Sequence, residues 1–186
     1  MHGNENIIET LKNGGIVVMP TDTIYGIVTS ALDSLAVDNV YEVRKRAPDK
    51  PCIILIGDIN ELEKFSITLS VEQQNTITKY WTDSSPATSI ILPCSEDKFS
   101  YLHRGTKTLA FRLPAQKELR DLLKKTGPLI APSANIEGMS PAKNIIEAKK
   151  YFGDSVNLYV DGSEIEGQPS KVIKLHKDGS VSILRE

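Results

Sequence analysis

Pro20-Thr21-Asp22-Thr23-Ile24-Tyr25-Gly26 follows the apolar run Ile16-Val17-Val18-Met19 and precedes Ile27-Val28. A largely β-branched run of this kind predicts a buried strand. Proline has no amide hydrogen to offer a sheet ladder, so the strand is expected to stop at Pro20. Three side-chain oxygens and a phenol then stand at a strand end. In an α/β sheet, ligands bind in the crevice outside such ends. The same residues also suit an Asx or Ser/Thr turn in which Asp22 and Thr23 bond only nearby backbone. The rest of the chain has to decide between a binding loop and a plain turn.

Upstream, Ile7, Ile8 and Leu11 have helical spacing, and Gly14-Gly15 end that helix. Downstream, Asp33 suits the cap of a helix with Ala36, Val37, Val40, Tyr41 and Val43 on its apolar face. It ends in Arg44-Lys45-Arg46, followed by Pro48, Lys50 and Pro51 and an apolar strand over residues 52–56. Cations in a last helical turn complement the helix dipole, so this cluster has an explanation that needs no ligand. Residues 58–81 predict two helices, the second opened by the capping-box pair Ser70 and Gln73, with Leu62, Phe65, Ile77 and Trp81 packed on the sheet. A strand over 88–92 and a polar excursion over 95–98 follow.

His103-Arg104-Gly105-Thr106-Lys107-Thr108 leads into Leu109-Ala110-Phe111-Arg112. Thr108 and Arg112 lie four apart on an alternating strand, so both face one side. A buried arginine there needs a carboxylate or phosphate partner, which an internal Asp or Glu would also supply. A helix over 117–125 closed by Gly127 precedes a strand over 129–131 and a second polar strand end, Pro132-Ser133-Ala134-Asn135. Ser140 and Pro141 read as the N-cap and first residue of a helix running towards Phe152; its exposed amides make a phosphate seat, and a plain cap has the same pattern. Strands over 158–160, 171–175 and 180–184, the last two joined at Asp178-Gly179, complete one α/β domain over 1–186, built on a twisted mixed sheet flanked by helices.

The 186 residues, 40% hydrophobic and 25% charged, are those of an ordinary soluble globular domain. A net charge of −2 and a pI near 6.0 argue against a protein that coats nucleic acid, though not against a local basic cleft. Cys52 and Cys94 flank apolar runs and read as reduced core thiols. No signal-peptide pattern or membrane-spanning run is found, so a cytoplasmic location without membrane contact is expected. Walker A, GxGxxG and GxSxG patterns are missing, and no His or Cys pair has metal-ligand spacing, so no protein-held metal is expected. Hydroxyls, one amide and several arginines beside strand ends suit binding and orienting anions better than nucleophilic attack by the protein.

Four separated motifs carry a family resemblance: the opening stretch, Arg44-x-Arg46 with Lys50-Pro51, Thr108-Leu-Ala-Phe-Arg112, and Pro132-Ser-Ala-Asn135 with Gly138 and Ser140. In order and approximate spacing they resemble the YrdC/TsaC family of threonylcarbamoyl-AMP synthases, in its short single-domain form. That resemblance implies a nucleotidyltransferase that makes L-threonylcarbamoyladenylate and pyrophosphate from L-threonine, bicarbonate and ATP, with Mg²⁺ accompanying the nucleotide. The product would feed tRNA threonylcarbamoyladenosine modification through hand-over to a tRNA threonylcarbamoyl-transferase complex. Carried over position by position, Arg44 and Arg46 are the catalytic, phosphate-binding cations. Thr21, Thr23, Tyr25, Arg112 and Ser170 surround threonine. Lys50, Thr108, Ala131, Ser133, Asn135, Ser140 and Arg185 join the two cations around ATP. The chain departs from the family pattern in having Arg44 for the usual Lys, Ala47 before Pro48, and Lys171 for the usual Thr.

Two other readings compete. YrdC-like domains also occur in larger carbamoyltransferases that form carbamoyladenylate from carbamoyl phosphate. A double-stranded-RNA or tRNA-binding module would use Arg44, Arg46, Lys50, Arg104 and Lys107 as a concave basic surface.

Overall fold

The opening apolar run forms β1 (Val17–Pro20), and β2 (Tyr25–Ser30) returns antiparallel beside it, with Pro20 opposite Tyr25. The stretch between them is therefore a hairpin connection at a sheet end. The computed structural model describes residues 2–82 and 84–186. Within them the remaining strands are β3 (Ile53–Leu55), β4 (Thr88–Pro93), β5 (Thr108–Arg112), β6 (Leu129–Ile130), β7 (Leu158–Tyr159), β8 (Lys171–Leu175) and β9 (Val181–Arg185). They join one mixed sheet in the order β7-β1-β2-β6-β3-β5-β4-β8-β9. The pairs β1/β7, β3/β5 and β4/β8 run parallel and the others antiparallel.

Helices α1 (His2–Lys12), α2 (Ser34–Arg44), α3 (Val71–Tyr80), α4 (Ser100–His103), α5 (Lys117–Thr126) and α6 (Ile145–Phe152) flank it. Asp33 caps α2 by accepting from the Ala36 amide, and Ser70 and Gln73 form the reciprocal capping box of α3. Gly127, at φ 83° and ψ −176°, ends α5 in an extended positive-φ conformation that glycine adopts readily. Cys52 and Cys94 are both free and buried.

Strand alternation decides where the core lies and where it does not. Ile54, Phe111, Ile90 and Ile173 are paired in register and share one face, which is packed by Val37, Val40, Phe65 and Ile77. Phe65 stacks edge-on to Phe111 with centroids 5.0 Å apart. The other face divides. Under Val17, Val28 and Leu55 it is covered by Ile7 and Leu11 of α1 and Leu119, Leu122 and Leu123 of α5. Farther along, Ile53, Ala110, Ile91 and Val172 on that face stay only half-buried and floor an open cleft.

Three elements differ from the sequence reading. The first helix over 58–81 is a 3-10 turn, Ile59–Phe65, in which the Glu61 carboxylate reaches back to the Gly57 amide at 2.7 Å. The polar excursion after β4 contains the short helix α4. α6 is capped by Asn144, not Ser140. The Ala142 amide bonds the Ala134 carbonyl at 3.0 Å, which draws Ser140 and Pro141 back over the Ser133 loop and delays the first helical turn.

Candidate active site

The cleft on the open sheet face has a volume of about 440 Å³. Its floor is apolar and its rim carries Arg46, Arg112 and Arg185, with no carboxylate among the described residues that line it. Thr21, Thr23, Tyr25, Thr108, Ala131, Ser133 and Ser170 complete the sequence-predicted residues found there. Arg44, Lys50, Asn135 and Ser140 are not among the lining residues.

At one end stands the β1–β2 connection. The Thr21 hydroxyl donates to the Ile24 carbonyl at 2.7 Å and accepts from the Thr23 amide at 3.3 Å, so it closes a local turn. The Thr23 hydroxyl lies 3.1 Å from it. Tyr25 is fully buried, and its phenol donates to the Ser163 carbonyl while accepting from the Gly162 amide, both at 2.8 Å. Its polar atom thus pins the irregular segment 160–170, which returns across the cleft from β7 to β8. Asp22 does not bond only nearby backbone: its Oδ1 accepts from Arg112 Nη2 at 2.8 Å, with both side chains almost wholly buried. Burial lowers the Arg112 pKa, the Asp22 carboxylate raises it, and the neighbouring Arg185 cation lowers it again.

Ser170 and Arg185 meet at the far strands. Arg185 donates through Nε and Nη2 to the Ser170 carbonyl at 3.0 and 2.7 Å, and Ser170 Oγ lies 2.8 Å from Ser89 Oγ. Thr108, Ala110 and Arg112 line the cleft while Leu109 and Phe111 enter the core, as alternation predicts.

The basic loop is split. Arg46 donates to the Lys50 and Pro51 carbonyls at 3.0 and 2.9 Å and faces the cleft. Arg44 is 2% exposed and braces the second polar loop, donating through Nε to the Asn135 carbonyl at 3.0 Å and through Nη2 to Asn135 Oδ1 at 3.2 Å. Burial and the nearby Arg46 cation push its pKa down to about 10. Asn135 Oδ1 also accepts from Ser133 Oγ, and its Nδ2 donates to the Ile136 and Met139 carbonyls. With its amide fully engaged, Asn135 shapes the loop that presents Ser133. Glu137 ties the two loops together by accepting from the Ala47 amide and Lys50 Nζ, contacts that hold its carboxyl below the usual glutamate range. Lys50 thus faces Glu137 rather than the cleft. Ser140 is exposed, and the neighbouring Pro141 lines the cleft in its place.

The sequence reading missed the floor, Ile53, Ile91, Ala110 and Val172, which the period of two along each strand would have yielded. It also missed Thr106, whose hydroxyl turns back to the His103 carbonyl at 2.7 Å. Among the described residues no cluster of His, Cys, Asp and Glu is placed to hold a metal ion, and no helix is long and apolar enough to cross a membrane. A cationic, hydroxyl-rich rim over an apolar floor can hold a nucleotide's phosphates and a small carboxylate side by side.

A sequence profile described as telomere recombination, covering Sua5, YciO and YrdC proteins, matches residues 9–186. The threonylcarbamoyl-AMP synthase of Pyrococcus abyssi is 33% identical over 168 residues, 89% of this chain but 48% of that protein, so the chain spans about half its length. A relative of the same name from Acinetobacter baumannii is 28% identical over 170 residues, 89% of each protein. The Pyrococcus abyssi Sua5 structure complexed with L-threonine matches with a TM-score of 0.86 at 29% identity, over 98% of this chain and 53% of that one. The chain belongs to the Sua5/YciO/YrdC family.

Proposed function

We propose that this chain is an L-threonylcarbamoyladenylate synthase acting on L-threonine, bicarbonate and ATP. One observation carries the reading: a single cleft is lined by Thr23, Arg112 and Arg185 together with Arg46, Thr108 and Ser133, around an apolar floor. Its volume of about 440 Å³ falls within the ~300–1,000 Å³ typical of small-molecule sites.

Arg112 takes the threonine carboxylate, with Thr23 beside it. Arg46 and Arg185 take phosphate oxygens, and Thr108, Ser133 and the Ala131 backbone line the nucleotide. Arg44 and Asn135 act through the Ser133 loop they shape. The threonine amine attacks bicarbonate carbon and water leaves, giving the carbamate, and a carbamate oxygen then attacks the α-phosphorus as pyrophosphate leaves. In-line displacement at phosphorus gains mainly from positioning and neutralised charge, which suits a site whose polar groups are anchors. Mg²⁺ accompanying the nucleotide would add to the charge neutralisation that Arg46 and Arg185 supply at the phosphates. Transfer of the adenylate's threonylcarbamoyl group to tRNA falls to a separate complex.

Pyrophosphate release by the purified protein should require threonine and bicarbonate together with ATP. Release driven by carbamoyl phosphate instead would identify a carbamoyltransferase-like activity. Salt-dependent RNA binding without turnover would identify an RNA module.

A further inference from the structure

Arg112 is held from behind. Asp22, its ion-pair partner, does not line the cleft; it lines a separate cavity of about 130 Å³ on the other side of the pair. The bond uses one Nη2 donor, while Nε is buried with no hydrogen-bond partner. Arg185 stands on the cleft side as a like charge. We propose that Asp22 is a positioning residue that fixes the Arg112 guanidinium against Arg185 and thereby sets affinity for the amino-acid carboxylate, an inference that rests on the synthase reading above.

Two effects of Asp22 oppose each other. Its charge weakens the pull of Arg112 on a second carboxylate, which favours tighter substrate binding when it is removed. Its bond also prevents a desolvated cation from swinging away from Arg185. The second effect wins because a buried charge without its partner does not keep its place, and a displacement of about 1 Å at a positioning group lowers turnover by as much as ~100-fold. Asp22 cannot be replaced in this task by Thr21, whose hydroxyl closes its own turn on the Ile24 carbonyl.

The test is Asp22→Asn, which keeps the shape and removes the charge. The KM for threonine should rise at least about tenfold, with the KM for ATP changed less than about twofold. In an Arg112→Lys background the same substitution should add little, because the two residues act as one unit. An active Asp22→Asn enzyme with unchanged or lower threonine KM, or effects that add in the double variant, would overturn the inference alone. A wild-type protein without threonine-dependent pyrophosphate release would overturn it together with the synthase reading. Unfolding of Asp22→Asn is checked by its melting curve, and Asp22→Glu then serves as the second variant: restored folding with threonine KM still raised supports positioning, and an unchanged KM opposes it.

Discussion

At the level of single residues, alternation along Thr108–Arg112 was enough to aim Arg112 and to demand an anionic partner for it. It could not say which one, because Asp22 lies 90 residues away in sequence and is brought near only by the strand order. The burial of Arg44 could not be read for a related reason. The end of a basic helix looks solvated in sequence, whereas here the chain of the Ser133–Asn135 loop folds over it and supplies carbonyl and amide oxygens. The buried pair has a stability consequence. Arg112→Met leaves the Asp22 carboxylate desolvated and unpaired, and loss of one partner of a buried ion pair costs about 3–5 kcal/mol. For a chain of this size that corresponds to roughly 6–20 °C in melting temperature. Thermal unfolding of the variant beside Arg112→Lys, which keeps the charge, checks it; equal melting temperatures for Arg112→Met and wild type would show that Asp22 is already well solvated.

Elements with strong local codes were legible: the Asp33 cap, the Ser70–Gln73 box and the Gly127 stop all act within one helical turn. The start of α6 was not, because a tertiary bond between Ala142 and Ala134 decides it. Apart from Ser170, which the family resemblance singled out, segment 160–170 was invisible as a functional element, having no period to read. It is fastened to the cleft by Tyr25 at one end and by Arg185 on Ser170 at the other. Between them Gly167 passes so near Thr23 that a Cβ on it would lie 1.6 Å from the Thr23 carbonyl oxygen. Both sides of that contact are backbone, so no rotamer change relieves it. Gly167→Ala should therefore lift the segment off Thr23, lowering stability by about 1–3 kcal/mol, the usual range for overpacking. Limited proteolysis should cut 161–169 faster, and the threonine KM should rise more than the ATP KM. Unaltered cleavage and kinetics would mean that the segment has room to rise without opening the site.

Across the whole molecule, the cleft is assembled from the β1–β2 hairpin, the loop after α2, β5, the loop after β6 and the final hairpin, so its residues run from Thr21 to Arg185. Sequence order alone could give their sequence along the chain but not their convergence, which depends on β8 and β9 pairing beyond β4 at the far edge of the sheet. A ligand that touches all of these segments binds only when they are together, so its binding adds to the stability of the whole fold. A nucleotide analogue at 100 times its Kd should contribute about 2.7 kcal/mol. That amounts to about 5–11 °C in melting temperature at roughly 2–4 °C per kcal/mol. Arg46→Ala removes a rim cation whose structural bonds are two backbone carbonyls on its own loop, so the unliganded protein should melt within a few degrees of wild type. A tenfold loss of nucleotide affinity in this variant would reduce the contribution by about 1.4 kcal/mol. The nucleotide-induced shift should then fall to about half at the same analogue concentration. A full shift in Arg46→Ala would remove Arg46 from the nucleotide side of the cleft, and a large drop in the unliganded melting temperature would make it a brace of the helix end, like Arg44.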